Sequence, residues 1–388
     1  MAAQVTRRVE LPTGSLEIAV EESLFDIDAL IGFAARANAK RGFLFLSKVL
    51  GKHWPVRPRN MQEVQMALAE SIPVDLPGPV VFIAMAETAI GLGQGVFEAC
   101  LRACPRRQAM FIHTSRYSVP GMSLIEFEES HSHAPRQFLH MPNDPELREM
   151  FCTAKSLVLL DDEVSTGNTF LNLTKACRTL NPSIKHVHLS TITNFMGKDA
   201  TAALSARFGL PVTLGAVLSG RYTFATDRIS PSEPCQFFEF DAERGASAMF
   251  GRVGIVKPLA VPADLVDRLL EQISPGESVL VLGTGELMHP AFVLGRALEI
   301  RGVDVMVQST TRSPILTWGA VRHARTFPDS YGEGIANYLY NVFSGQYDHV
   351  FICHETRPGG ALQELASSLG GRLFHFKSES AVEEVPVR

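Results

Sequence analysis

Thirteen residues, "LVLLDDEVSTGNT" from Leu157 to Thr169, set two adjacent aspartates between an aliphatic run and a turn of Ser, Thr, Gly, Asn and Thr. Four consecutive apolar residues fit a strand covered on both faces, and the following "TFLNLTKACRTL" has the spacing of an amphipathic helix. The turn therefore lies at a strand's carboxyl end and a helix's amino end. Backbone N–H groups lack partners there and the helix dipole is positive. Ser165, Thr166, Gly167, Asn168 and Thr169 form an anion cradle, with Gly167 permitting close backbone approach and the hydroxyls adding donors. A phosphate monoester fits it. Asp161 and Asp162 stand at the near end of the loop, where they would repel a phosphate that touched them. Carboxylates accept from vicinal sugar hydroxyls and hold water-ligated Mg2+. A ligand with a phosphate at one end and a ribose diol at the other would satisfy both halves. For the loop taken alone, ordinary helix capping by Asp, Ser and Thr is the competing explanation. A P-loop is a poor match because no lysine occupies the required place, and a Rossmann loop carries its acid at the end of a later strand.

Such a loop needs a sheet to hold it. Up to about residue 225 the chain alternates strand and helix patterns, which favours a mostly parallel sheet with helices on its faces and ligands at the strand carboxyl ends. Strands are expected over 43–50, 79–87, 108–115, 156–163, 186–193 and 211–220, with amphipathic helices between several of them. From about 225 to 255 the sequence is rich in turn residues and charges and reads as a linker or domain-closing excursion. A second α/β unit follows, with strands over 278–286, 303–311 and 349–356 and helices at "PADLVDRLLEQI", "PAFVLGRALEI" and around "GIANYLYNVF". The expected domains are 1–250 and 251–388, which suits a length of 388 residues.

Composition narrows the function classes. Hydrophobic residues make up 46% and charged ones 20%, as in a soluble globular protein. A net charge of -5 gives no basic footprint, so no nucleic-acid partner is expected. No apolar run approaches the ~20 residues of a bilayer span, so no membrane partner is expected either. Six scattered cysteines and a start without a signal-peptide core point to a reducing cytoplasm. Cys100 and Cys104 share a helical face with Val96, Phe97 and Leu101 and read as core residues.

The stretch Leu157–Thr169 resembles, at every position, the phosphoribosyl-pyrophosphate (PRPP) motif of type I phosphoribosyltransferases. With "RGFLFLSKVLGKHWPV", "AETAIGLGQG" and "TTRSP", nearly the whole chain is similar to the orotate-phosphoribosyltransferase-like proteins with a C-terminal TRSP domain found in tellurium-resistance gene clusters. The resemblance implies a type I phosphoribosyltransferase fold followed by a second, smaller α/β domain. It implies that Asp161 and Asp162 bind the ribose hydroxyls of PRPP, that Ser165 to Thr169 hold its 5-phosphate, and that Mg2+ arrives on PRPP, reached by Asp161 and Asp162 only indirectly.

By position, Ala86, Glu87 and Thr88 correspond to the loop that binds pyrophosphate through backbone amides. Glu87 departs from the lysine-containing loop usual in orotate enzymes, and a glycine-softened helix start is the other explanation of that stretch. The segment 113–137, with Arg116, Glu128, Glu129, His131 and His133, lies where such enzymes close a mobile loop. An exposed polar hairpin explains it equally. Lys48 corresponds to the hood over the base, and Lys48, Arg116 and His131 are the candidate catalytic side chains. Lys52 reads as surface, and Arg221 is expected after the domain's last strand, flanking the acceptor pocket.

In the second unit, Gly283 and Gly285 follow a strand without the third glycine of a dinucleotide fingerprint. Thr311, Arg312 and Ser313 follow another and suit an anion, and His354, Glu355 and Arg357 end a third. A second ligand is expected there, with a phosphorylated product or a nucleotide as the guess. The expected activity is transfer of 5-phosphoribosyl from PRPP to a nitrogenous base or base-like acceptor, releasing pyrophosphate and making a nucleotide-like metabolite. The alternative is a PRPP-binding regulator without transferase activity, against which the absence of a helix-turn-helix-like or basic segment counts. Type I enzymes are often dimers, so the resemblance leaves a homodimer open.

Overall fold

The computed structural model describes residues 5–36, 41–128, 136–226 and 245–387. The first unit opens with the hairpin β1 (Val5–Leu11) and β2 (Gly14–Ser23), the short α1 (Ile27–Leu30), and a second hairpin of β3 (Ile31–Ala35) and β4 (Phe43–Ser47). It continues with α2 (Pro58–Ser71), β5 (Val80–Ala84), α3 (Ile90–Ala103) and β6 (Ala109–His113). A third hairpin, β7 (Leu124–Glu128) and β8 (Arg136–His140), precedes α4 (Pro145–Thr153), β9 (Ser156–Val164) and α5 (Asn168–Leu180). The unit ends with β10 (His186–Asn194), α6 (Lys198–Ala202), α7 (Leu204–Phe208) and β11 (Val212–Ala225). The second unit contains α8 (Ala263–Leu270), β12 (Ser278–Gly283), α9 (Met288–Ile300), β13 (Asp304–Ser309), β14 (Ala324–Pro328) and β15 (Ala336–Tyr340). It closes with β16 (His349–His354), α10 (Gly360–Leu369), β17 (Gly371–Phe376) and β18 (Val382–Val385).

Apolar runs such as Val80–Ala84 and Leu157–Leu160 are buried on both faces because each alternate residue feeds a different core. Val80, Phe82 and Ala84 join Met61, Leu68 and Phe97 of α2 and α3, while Val81 and Ile83 join Phe151, Phe170 and Leu173 of α4 and α5. The sheet order is β1-β2-β11-β10-β9-β5-β6, parallel from β11 to β6, with β2 and β1 added antiparallel at one edge. The second sheet, β13-β12-β16-β17-β18, is parallel except at β18.

The two sheets share a core. Leu92 and Phe97 of α3, Met288 and Leu294 of α9, and Val281 and Val307 of the second sheet belong to one buried cluster. Gly295 lets α9 lie close on β13, since a Cβ there would come 2.3 Å from Val307 Cγ1. The 1–250 boundary expected from sequence falls where the chain runs back along β6: Phe111 N and Ile255 O, and Ile255 N and Phe111 O, both pair at 2.8 Å. The β3–β4 hairpin is also roofed by the second unit, with Ala34 and Leu46 packed against Ile315, Val321 and Tyr340.

Two expectations fail. The helix around "GIANYLYNVF" is strand β15, paired antiparallel to β14 with Tyr338 and Tyr340 stacked 5.7 Å apart. Its aromatic residues suit a half-buried pleated surface, which outweighs the apolar spacing that suggested a helix. Arg221 is not beyond the last strand. It lies inside the 14-residue β11, which extends to pair with β2, and it meets Glu21 there at 3.2 Å. Among the described residues no helix is long and apolar enough to cross a membrane.

A shared core predicts one cooperative unit. Urea unfolding followed by far-UV circular dichroism and by the fluorescence of the two tryptophans, Trp54 and Trp318, should give coincident single transitions. Separate transitions for the two units would contradict the shared core.

Candidate functional site

The loop after β9 has the expected open form. Gly167 is the N-cap of α5 in the left-handed region, φ 70°, and makes no side-chain cap, while Thr166 Oγ1 accepts from Asn168 N at 3.4 Å. The capping explanation of the aspartates therefore does not hold: Asp161 Oδ1 instead accepts from Asp162 N at 2.9 Å. Arg207 from α7 donates to Thr166 O and to the Asn168 side chain, bracing the loop and adding positive charge beside it. Ser165 shares a hydrogen bond with Tyr222 of β11. The loop combines free helix-end donors with one neighbouring cation, a setting for an anion.

Asp161 and Asp162 are half-buried at the end of β9. Burial pushes Asp162 up to about 6; the Asp161 hydrogen bond opposes this and Glu163 reinforces it. Glu163 is held by Arg41 at 2.6 Å, and the Arg41 guanidinium lies 4.7 Å from the Phe43 ring centroid, which ties the β3–β4 hairpin to the acidic strand end.

The segment Ala86–Thr88 follows β5. Ala86 N donates to Thr114 Oγ1 at 2.7 Å, and the Ala86–Glu87 peptide is cis. Lys52, expected at the surface, is 1% exposed and lies 2.5 Å from Glu87 Oε1. Its Nζ also donates to Gly285 O at 2.7 Å and to Ser309 Oγ at 3.2 Å. Burial lowers the Lys52 pKa and Glu87 partly offsets it. Lys48 sits elsewhere, donating to Asp28 O at 2.9 Å and lying 5.8 Å from the Trp54 ring.

The carboxyl ends of the second sheet meet those of the first. Glu286, just beyond β12, accepts from Ser115 Oγ at 2.8 Å and from Arg116 N at 2.7 Å, the residues that follow β6. Arg252 joins Glu286 at 2.9 Å to Glu355, beyond β16, at 2.6 Å, and Tyr331 Oη donates to Glu355 at 2.7 Å. Burial pushes Arg252 down, but Glu355 and Glu286 outweigh it and hold the guanidinium well above its ordinary value.

Thr311 is buried and paired with Tyr338, whereas Arg312 and Ser313 are half-buried at the mouth of the turn. Space above Gly283 is filled by Leu287 O, 2.5 Å from where a Cβ would stand, so glycine there serves the turn. His354 is buried against His375, ring centroids 5.1 Å apart, and Arg357 is exposed. His131, with Glu129 and His133, lies outside the described residues, which include only the flanking hairpin β7–β8. Among the described residues no three His, Cys, Asp or Glu side chains form a metal-holding group.

The structure thus brings together 86–88, Arg116, Arg312 and the second-unit strand ends, which the sequence placed in separate units. Tyr117, Arg252 and Glu286 were missed, and Lys52 was read as a surface residue. Their signal is weak: a lysine after a strand and an arginine in a turn-rich stretch carry no spacing that foretells burial.

This is a two-unit α/β protein with a glycine-led helix amino end and an acidic pair at the carboxyl edge of a mostly parallel sheet. A family model described as Phosphoribosyl transferase matches residues 30–221, and one described as TRSP domain C terminus to PRTase_2 matches residues 251–369. The chain belongs to this family of phosphoribosyl transferases with a C-terminal TRSP domain. No curated protein matches it. Among solved structures, adenine phosphoribosyl transferase from Trypanosoma brucei is 14% identical, with 54% of this chain and 87% of that one covered and a TM-score of 0.35. Adenine phosphoribosyltransferase from Giardia lamblia is 16% identical, with 50% and 98% covered and a TM-score of 0.33. Orotate phosphoribosyltransferase from Francisella tularensis is 14% identical, with 48% and 80% covered and a TM-score of 0.29.

Asp162 carries a stability cost with a defined sign. A carboxyl whose folded pKa, about 6, exceeds its ordinary 3.8 favours the fold when protonated, so its contribution is lost as pH rises from about 4 through 6. Asp162→Asn should flatten that part of the stability profile and stabilise the protein at pH 7–8 by roughly 1–3 kcal/mol in urea titrations. An unchanged or lower stability at pH 8 would contradict the assigned environment.

Proposed function

We propose that the protein is a PRPP-dependent transferase that moves 5-phosphoribosyl to a nitrogenous base or base-like acceptor and releases pyrophosphate, making a nucleotide-like product. The observation that carries this reading is the glycine-led amino end of α5 beside the Asp161–Asp162 pair. The loop 165–169 would hold the 5-phosphate through backbone N–H groups and hydroxyls. Asp161 and Asp162 would accept from the ribose diol, and they are the carboxylates within reach of Mg2+ carried on PRPP. The raised pKa of Asp162 implies that diol recognition strengthens as pH rises through about 6.

In the reaction the bond from the anomeric carbon to the pyrophosphate oxygen breaks and a bond to the acceptor nitrogen forms, through an oxocarbenium-like transition state. The protein's work is to fix the donor, exclude water and stabilise charge on the leaving group. No covalent nucleophile is required. Residues 86–88 would receive the pyrophosphate, with Glu87 neutralised by Lys52 at 2.5 Å. Arg116 and His131 are proposed for the loop that closes over it, and Lys48 for the hood. A homodimer is the assembly proposed from the family habit.

Calorimetry with PRPP and Mg2+ tests the reading. Asp161→Asn/Asp162→Asn should weaken PRPP binding by about tenfold or more, since hydrogen bonds to charged groups are worth about 1.5–3 kcal/mol. Wild type should release pyrophosphate with at least one member of a panel of bases. Unchanged affinity in the double variant would sink the site, and PRPP binding without turnover on any base would favour a regulatory role.

A further inference from the structure

We infer that Arg312, from the second unit, completes the pyrophosphate site of the first, so that the turn Thr311–Ser313 and the loop Ala86–Thr88 grip one diphosphate together. The inference rests on the transferase reading and extends it across the junction of the two units.

The loop by itself is a poor anion site. Ala86 N is occupied by Thr114 Oγ1 at 2.7 Å, which leaves the N–H groups of Glu87 and Thr88 without hydrogen-bond partners among the described residues. Glu87 contributes a buried negative charge, and Lys52, 2.5 Å away, only cancels it. A diphosphate placed there would meet two amides and a neutral ion pair. Another cation is needed to favour it.

Arg312 is placed to be that cation. Its turn is fixed on three sides: Thr311 pairs with Tyr338 at 3.0 and 2.7 Å, Ser313 N donates to Thr311 Oγ1 at 3.2 Å, and Tyr340 Oη donates to Ser313 O at 2.8 Å. The side chain is 13% exposed, and its guanidinium lies 5.1 Å from the Tyr117 ring, which stacks on Tyr331 at 4.0 Å. Glu333, at 3.9 Å, is beyond hydrogen-bond reach. Arg312 Nη1 is buried without a hydrogen-bond partner, and so is Tyr117 Oη. Two such atoms in one neighbourhood are costly unless a polar ligand meets them. Burial pushes the Arg312 guanidinium down, but Tyr117, then Glu87, Glu333 and Glu286, outweigh it and hold it above its ordinary value. A planar fork of donors matches two phosphate oxygens at once, which a lysine does not.

The motif's other neighbour is the β3–β4 hairpin, through Ile315 and Val321 against Ala34 and Leu46. The same end of the second sheet reaches the pyrophosphate loop through Lys52, which joins Glu87 to Gly285 O and Ser309 Oγ.

Calorimetry with three probes, inorganic pyrophosphate with Mg2+, PRPP with Mg2+, and ribose 5-phosphate, on wild type and Arg312→Gln tests this. The variant should bind pyrophosphate and PRPP about tenfold or more weakly and ribose 5-phosphate unchanged, because that ligand lacks the diphosphate. Equal affinities of variant and wild type for pyrophosphate and PRPP overturn the inference while leaving the transferase reading intact. Equal weakening of all three ligands overturns it as a general structural effect. Failure of wild type to bind PRPP and ribose 5-phosphate overturns both readings. Should Arg312→Gln not fold, Arg312→Lys keeps the charge and loses the fork. It should weaken pyrophosphate and PRPP but not ribose 5-phosphate, and unchanged pyrophosphate affinity in it overturns the inference.

Discussion

Arg252 is a fully buried guanidinium, and a cation in that position must be paired or the fold does not stand. Its partners, Glu286 at 2.9 Å and Glu355 at 2.6 Å, come from the ends of two parallel strands of the second sheet. Glu286 has oxygens to spare, and it spends them on Ser115 Oγ and Arg116 N at the end of β6 in the first sheet. One buried charge thus locks the carboxyl edges of both sheets against each other. Breaking such a pair costs about 3–5 kcal/mol because the partners stay buried and uncompensated. Hydrophobic burial holds the helices between the sheets, but this polar cluster sets how their functional edges face.

The same logic of enforced pairing explains the loop Ala86–Thr88. A carboxylate at Glu87 would oppose an anionic ligand, yet the fold delivers Lys52 to neutralise it and anchors that lysine on Gly285 and Ser309 of the second unit. The loop's charge balance is consequently set by both units. At β9 the opposite choice is made: Asp161 and Asp162 are kept at a half-buried strand end beside Glu163, with Asp162 pushed up to about 6 by burial. Asp162 is thus retained where its charge destabilises the fold, as ligand sites commonly require.

Much of this was legible in the sequence, and the boundary of legibility has physical causes. The strand–turn–helix of residues 156–180 could be read because apolar runs, a glycine and an amphipathic repeat are local signals. The parallel strands of the first sheet and β12, β13 and β16 of the second announced themselves likewise, whereas β17 did not. β15 did not, since aromatic residues and two glycines over 332–343 fit a helix's spacing as well as a strand's alternation, and pairing with β14 decided it. Arg221 was misplaced because nothing in "LSGRYTF" reveals that β2, some 200 residues earlier, extends the strand. Lys52 and Arg252 show the deeper limit: whether a charge is solvated or buried depends on partners brought from more than 30 residues away, here Glu87, Glu286 and Glu355. The sequence did flag 86–88 and 311–313 as polar strand ends, but not that they meet.

The central claim is that two strand-edge loops from different units form one ligand site. Amide hydrogen exchange with and without PRPP and Mg2+ tests it most directly. The account predicts simultaneous protection of 165–169, 86–89 and 311–313, with the second-unit turn protected as strongly as the first-unit loops. Protection confined to 86–89 and 165–169, with 311–313 exchanging as in the free protein, would contradict it.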